Sequence, residues 1–338
     1  MSAASEGAIA VIGAGSWGTA LALQFARSGH EVRLWGRDDE QRALMKKERV
    51  NNKYLPGADF PDNLSIADSI EECLDGMQDV LVSVPSHALR ETLTALKPHL
   101  ESHARVSWAT KGFELHTGKL PHQVANEVLG DDHKLAVLSG PTFAREVGDG
   151  LPTAMTIGAN DPEFGHQMAE SLSSPNFRAY TSDDMIGVEV GGAIKNVLAI
   201  GAGMSDGLGF GANTRIALIN RGLVEMTRLG VSLGAKKETF MGLAGMGDLV
   251  LTCTDDLSRN RRMGLALAAG KTVEEAQEEI QQVVEGVLAA EAVEEVAAKQ
   301  GVEMPICHEI YRILYDGISP REAVENLMSR AIGPEIEL

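Results

Sequence analysis

The chain carries Gly13-Ala-Gly15-Ser-Trp-Gly18 between an apolar run at residues 8–12 and a helical pattern at residues 17–28. Nothing else in it constrains the fold as tightly. In a strand–turn–helix the three glycines have separate duties. Gly13 permits the tight turn, Gly15 lets the backbone approach a pyrophosphate, and Gly18 lets helix and strand pack closely. The helix N-terminus adds free N–H groups and a positive dipole end, which suit an anion. A second apolar run, residues 31–35, follows at the distance a βαβ unit requires. Residues 7–26 carry no charge. Their glycines, with Ser16, Thr19 and Gln24, still favour strand, turn and helix over a membrane span or a signal peptide.

Further runs at 79–84, 105–109, 135–138 and 153–157 are short and apolar rather than alternating. That is the pattern of strands buried on both faces of a parallel sheet. Helical stretches such as 87–96 lie between them. The alternation predicts an α/β fold: a Rossmann-type doubly wound sheet over residues 1–184, then a mostly helical domain over 185–338. In the second part Thr272 with Glu275, and Ser319 with Pro320 and Glu322, mark two helix starts.

Acidic residues number 48 against 30 Lys and Arg, a net charge of −18. The excess argues against nucleic acid or an anionic membrane as a partner, since basic faces hold both. A small anionic ligand remains open, provided a local basic pocket admits it. With 44 % apolar residues the chain can bury a core. Three widely spaced cysteines, Cys73, Cys253 and Cys307, fit a reducing, cytoplasmic compartment rather than a disulfide framework.

After the second strand stands Gly36-Arg37-Asp38. A carboxylate there would hold the ribose 2′-hydroxyl of NAD, and an arginine would pair with the 2′-phosphate of NADP. Arg37 comes first and favours NADP, with NAD left open. Ligands of open α/β sheets sit outside the carboxyl ends of the strands. Those ends read Val84-Pro85-Ser86, Thr110-Lys111-Gly112 and Ser139-Gly140-Pro141-Thr142, with Lys111 the only cation among them.

Lys195 interrupts an apolar segment, residues 187–204, together with Glu189 and Asn196. It could snorkel from a helix edge. Alternatively, desolvation lowers its pKa toward neutrality, suiting proton exchange with a carbonyl or alcohol oxygen; a carboxylate partner would oppose that shift. Farther on, Gly245-Met-Gly247-Asp248 precedes Ser258-Arg259-Asn260-Arg261-Arg262. Three arginines in four residues read either as a phosphate clamp or as a loop balancing Asp255 and Asp256. No His or Glu joins these aspartates at ligand spacing, so no metal is expected.

The segments GAGSWGTALA, VPSHALRETL, WATKGFE, SGPTFA, GGAIKNV, GLAGMGDLVLTCT, SRNRR and VVEG together resemble the bacterial NAD(P)-dependent glycerol-3-phosphate dehydrogenase family, over roughly residues 8–330. The resemblance implies hydride transfer between NAD(P)H and dihydroxyacetone phosphate, giving sn-glycerol 3-phosphate. It implies Lys195 as general acid/base and Lys111 as the substrate-orienting lysine. Ser16, Trp17, Arg37, Lys111 and Ala144 fall on cofactor contacts beside Gly13, Gly15 and Gly18. Gly140, Thr142, Asp248, Ser258 and Asn260 fall on substrate contacts, Arg259 on both, and Val283 and Glu285 close over the cofactor. It also implies a second domain resembling that of 6-phosphogluconate dehydrogenase. One departure is Ala290-Glu291, where the family often has Thr-Lys.

Two rivals share these features: a β-hydroxyacid dehydrogenase of the same two-domain plan, and a non-catalytic NAD(P)-binding redox sensor. An apolar helical domain would also suit a homodimer.

Overall fold

Residues 9–12 form a strand with every residue buried, and parallel partners on both sides satisfy its backbone. The computed structural model describes residues 7–335, which divide into two units. The first runs up to Lys111 and resumes over Pro121–Met185; the second takes Gly112–Leu120 and the chain from Ile186 onward.

The first unit alternates strands and helices. In order they are β1 (Ile9–Ile12), α1 (Ser16–Arg27), β2 (Val32–Trp35), α2 (Asp39–Glu48), β3 (Val50–Asn51), β4 (Leu55–Asp59), β5 (Leu64–Ile66) and α3 (Ile70–Leu74). There follow β6 (Asp79–Val82), α4 (Leu89–Leu96), β7 (Arg105–Trp108), α5 (Pro121–Leu129), β8 (Leu135–Ser139), α6 (Ala144–Gly148), β9 (Thr153–Ala159), α7 (Pro162–Leu172) and β10 (Phe177–Ser182). Eight strands form one sheet in the order β10-β9-β8-β7-β6-β1-β2-β5, while β3 and β4 pair separately. The stretch at 7–26 is strand, turn and helix.

The sheet departs from an all-parallel one at β9, which runs antiparallel to β8. The connection between them holds only the five-residue α6. Such a helix rises about 7.5 Å, too little to carry the chain back to the start of a parallel strand. Two edge strands, β5 and β10, lack the apolar runs of the centre. The three residues of β5 read Leu-Ser-Ile, and β10 alternates with exposed polar positions. Residues 86–88 wind as a 3₁₀ turn before α4 begins.

Strand order reverses at β1, with β2 on one side and β6 on the other. The loops leaving β1 and β6 meet there: Gly13 has φ +114°, and a Cβ on it would press into the Ser83 carbonyl. A Cβ on Gly18 would strike the Gly13 carbonyl. Both glycines are therefore required by close backbone approach.

The second unit is helical: α8 (Met185–Gly207), α9 (Gly211–Ser232), α10 (Asp248–Thr254), α11 (Arg259–Ala268), α12 (Val273–Ile280), α13 (Glu285–Gln300), α14 (Pro305–Tyr311) and α15 (Pro320–Met328). The central α8 is long and apolar enough to cross a membrane, but 94 % of its most apolar stretch is buried in the core. Its Val197, Leu198 and Ile200 pack with Met226, Phe240, Met263 and Val293. Phe113 and Leu120, from the segment inserted after Lys111, are buried in the same core. Thr272 and Glu275 form a reciprocal capping box, and Ser319 caps α15.

Glu225 of α9 is 4 % exposed and accepts from the backbone N–H groups of Ile306 (2.7 Å) and Cys307 (3.2 Å) at the start of α14. Burial pushes its carboxyl up to about 7, against the pull of those two donors. Because the folded value lies above the ordinary 4.5, the protonated form stabilises the fold. That contribution is complete below about pH 4.5 and is lost as pH rises to about 7. Relative to Glu225→Gln, the wild type should lose about 3 kcal/mol of unfolding free energy across that window. Urea titrations of both proteins at several pH values check this; parallel curves would refute it.

Candidate active site

At the first turn of α1, Gly15 is the N-cap and no side chain caps the helix. A Cβ on Gly15 would meet nothing within 4 Å, so packing does not account for this glycine. Trp17 Nε1 is buried without a hydrogen-bond partner. An open cradle of uncapped N–H groups and an orphaned donor beside it fit a bound dinucleotide phosphate. Ser16 faces this turn, but its Oγ donates to the Tyr54 carbonyl (2.8 Å), leaving its N–H as the group available to a ligand.

Arg37 is exposed just beyond β2. Asp38 is the N-cap of α2: its Oδ1 accepts from Gln41 N at 3.0 Å. The carboxylate that sequence offered to the ribose thus already serves a helix. The N–H donor and the nearby Lys53 together hold its pKa below the usual carboxylate range. At the carboxyl ends of the next strands, Thr110 donates to the Val84 carbonyl (2.6 Å), and half-buried Lys111 follows it. After β8, Gly140 has φ +153° against Met155, Thr142 Oγ1 donates to the Gly140 carbonyl (3.2 Å), and Ala144 opens α6.

In the second unit, Lys195 of α8 is 8 % exposed. Its Nζ lies 2.5 Å from Asp248 Oδ1 and 3.1 Å from Thr252 Oγ1. Asp248, 1 % exposed, opens α10, and Thr252 one turn later donates to the Asp248 carbonyl (2.6 Å). Lys195 therefore does not snorkel. Its partner is a buried carboxylate.

Around this pair runs a second polar chain. Asn260 Nδ2 donates to Asn196 Oδ1 (2.9 Å), and Asn260 Oδ1 accepts from Gly286 N (2.9 Å) at the start of α13. Asn196 Nδ2 reaches Glu285 Oε2 at 3.4 Å. Val283, two residues earlier, is 49 % exposed. Ser258 caps α11, accepting from Arg261 N at 3.2 Å.

The three arginines do not act alike. Arg261 is 8 % exposed and held by Asp206 (2.5 Å) and Asp256 (2.9 Å), with Arg215 on the same Asp206 (2.8 Å). It is a structural tie from α11 to α8. Arg259 is half-buried and Arg262 exposed. In the departing pair, Ala290 is buried and Glu291 half-buried on α13. Burial first, and Glu291 next, push the Tyr315 hydroxyl up to about 12.

Sequence reasoning passed over Thr252 and Asp206. Thr252 lies one helical turn from Asp248, which the i, i+4 rule could have paired. Asp206 is 55 positions from Arg261 and gave no local signal. No cluster of three His, Cys, Asp or Glu at metal-binding geometry exists among the described residues.

A dinucleotide turn at a sheet's switch point and a buried lysine–aspartate pair in a helical unit define a two-domain, nucleotide-dependent oxidoreductase. Two family profiles match the chain: the N-terminus of NAD-dependent glycerol-3-phosphate dehydrogenase over residues 8–165, and its C-terminus over residues 184–325. The chain belongs to this family. It is 54 % identical over 324 residues to a glycerol-3-phosphate dehydrogenase (NAD(P)+) of Tolumonas auensis, covering 96 % of this chain and 97 % of that protein. A namesake from Klebsiella pneumoniae is 54 % identical over 329 residues, covering 97 % of each. A crystal structure of glycerol-3-phosphate dehydrogenase from Coxiella burnetii superposes with a TM-score of 0.93 at 46 % identity, covering 96 % of this chain and 99 % of that one.

Arg261 and Arg259 should separate in stability. Arg261→Met leaves Asp206 without one of its buried partners and should cost about 3 kcal/mol. Arg259→Met should stay within about 0.5 kcal/mol of wild type. Denaturant midpoints decide it, and equal losses would return Arg261 to the clamp.

Proposed function

We propose that this chain catalyses reversible hydride transfer between NAD(P)H and dihydroxyacetone phosphate, supplying sn-glycerol 3-phosphate for glycerophospholipid synthesis. Membership in the family favours this reading over a β-hydroxyacid dehydrogenase or a redox sensor. The observation that carries it is the buried Lys195 ammonium on Asp248 at 2.5 Å. A ketone reduction needs a proton donor fixed beside the reacting oxygen, and a buried lysine held by a carboxylate suits that task.

The nicotinamide cofactor supplies or accepts the hydride when bound. Gly13, Gly15, Ser16, Trp17 and Gly18 would hold it, with Arg37, Lys111, Ala144, Arg259, Val283 and Glu285 as further contacts. Lys195 gives its proton to the ketone oxygen, and Asp248 holds its Nζ in place for the transfer. Lys111 orients the substrate and steadies the developing oxyanion. Gly140, Thr142, Asp248, Ser258, Arg259 and Asn260 are the remaining substrate contacts. The side chains of Ser258 and Asn260 already cap α11 and bridge Asn196 to Gly286. This leaves the Arg259 guanidinium as the fork best suited to phosphate oxygens.

The buried thiols Cys73, Cys253 and Cys307 suit a reducing, cytoplasmic setting. A homodimer and a preference for NADPH belong to the same proposal.

Oxidation of NADPH and NADH, followed with dihydroxyacetone phosphate as acceptor, tests the substrate. Absence of turnover with either cofactor would overturn it. Lys195→Met should lower turnover at least about 100-fold, a loss of ~2.7 kcal/mol in transition-state stabilisation. NADPH binding should stay within a few-fold of wild type. Turnover within about tenfold of wild type would remove Lys195 from its role.

A further inference from the structure

Residues 36–54 pack against the glycine turn, and their packing goes beyond what Arg37 alone suggests. We infer that Lys53, acting with Arg37, is a specificity-determining residue for the 2′-phosphate of NADPH, and that Asp38 is a helix cap neutralised by Lys53 rather than a ligand of the ribose hydroxyls. The inference rests on the dinucleotide occupying the glycine turn.

Lys53 lies in the turn between β3 and β4, and that turn is fastened to the glycine loop on both sides of it. On one side, Asn51, 1 % exposed, donates to the Ala14 carbonyl (3.0 Å) and to Thr19 Oγ1 (2.8 Å). Gln41 of α2 donates to the same Ala14 carbonyl (3.0 Å) and to Asn51 Oδ1 (3.1 Å). On the other side, the Tyr54 carbonyl accepts from Ser16 Oγ (2.8 Å). The backbone around Lys53 is therefore a fixed wall of the cofactor turn, not a free loop.

From that wall, Lys53 Nζ reaches across to Asp38 Oδ2 at 3.1 Å and lies 5.2 Å from the Tyr54 ring centroid. The other oxygen of Asp38 is spent on Gln41 N. In the usual arrangement, a carboxylate after the second strand accepts from the ribose 2′-hydroxyl and repels a 2′-phosphate. Here one oxygen is a cap and the other faces an ammonium, so the repulsion is cancelled where the phosphate would arrive. Arg37 is exposed beside Asp38, and no carboxylate pairs with it among the described residues. Lys53 and Asp38 are both half exposed, so a competing dianion can draw the ammonium toward itself at little cost in desolvation. Arg37 and Lys53 then bracket the phosphate.

Direct fluorescence titration of the full chain with NADPH and with NADH, at low ionic strength, tests this with two variants. Lys53→Gln should weaken NADPH binding about tenfold and change NADH binding by less than about twofold. Equal changes for the two cofactors, or none, would overturn the inference while leaving the cofactor reading intact. Asp38→Asn keeps a side chain that caps helices equally well, and NADH affinity should hold within about twofold. A fall of about tenfold in NADH affinity would show that Asp38 holds the ribose, and would overturn the inference. If the wild-type chain bound neither dinucleotide, the underlying cofactor reading itself would fail. Thermal midpoints of both variants should match wild type, because neither residue is buried.

Discussion

An ammonium group withdrawn from water must find a counter-charge, and in the second unit much of the architecture answers to that requirement. Lys195 projects from the most apolar helix of the chain, where an unpaired charge would cost several kcal/mol. Asp248 meets it from α10, and Thr252 fills the next donor direction. These three positions fix how α8 and α10 pack. Asn196, the residue after the lysine, extends the same logic to α11 and α13 through Asn260. Within each of these two clusters the polar groups partner one another, which is how a buried polar network keeps a single arrangement.

The net charge of −18 poses a related problem at larger scale. Dinucleotide and sugar phosphate are both anions, so the field of the whole chain opposes their approach. The opposition is met locally. Arg37, Lys53, Lys111 and Arg259 stand where anions are expected, while several other cations are tied into the fold. Arg261 and Arg215 share Asp206, and Arg105 is locked to Asp79 between neighbouring strands. Counting cations says little; what matters is which of them the fold ties to buried carboxylates.

The same distinction explains what could be read from sequence. The glycine turn, its flanking strands and the buried helix of Lys195 were legible because each is a local pattern: periodicity, glycine spacing, an apolar run with one charge in it. The direction of β9 was not, since it depends on how far the short α6 can travel. Asp38 and Arg261, each left with two open readings, could not be resolved from sequence for another reason. Their residue types suited a ligand, but Gln41 N claims the first, and Asp206, 55 positions away, claims the second. Thr252 went unnoticed although its spacing from Asp248 was in plain view.

The insertion of Gly112–Leu120 into the second unit has a consequence for how the chain can be divided. The polypeptide passes between units three times: after Lys111, after Leu120 and after Met185. A fragment ending near residue 184 would carry Phe113 and Leu120 with their packing partners removed, exposing two large apolar side chains. The complementary fragment would lack the segment whose Thr117 carbonyl accepts from Lys299 and whose Gly118 lies against Val296. During synthesis, likewise, nine residues made early must wait for helices made late. The two units are neighbours in sequence but not separable modules, and Lys111 stands at the first of the three crossings.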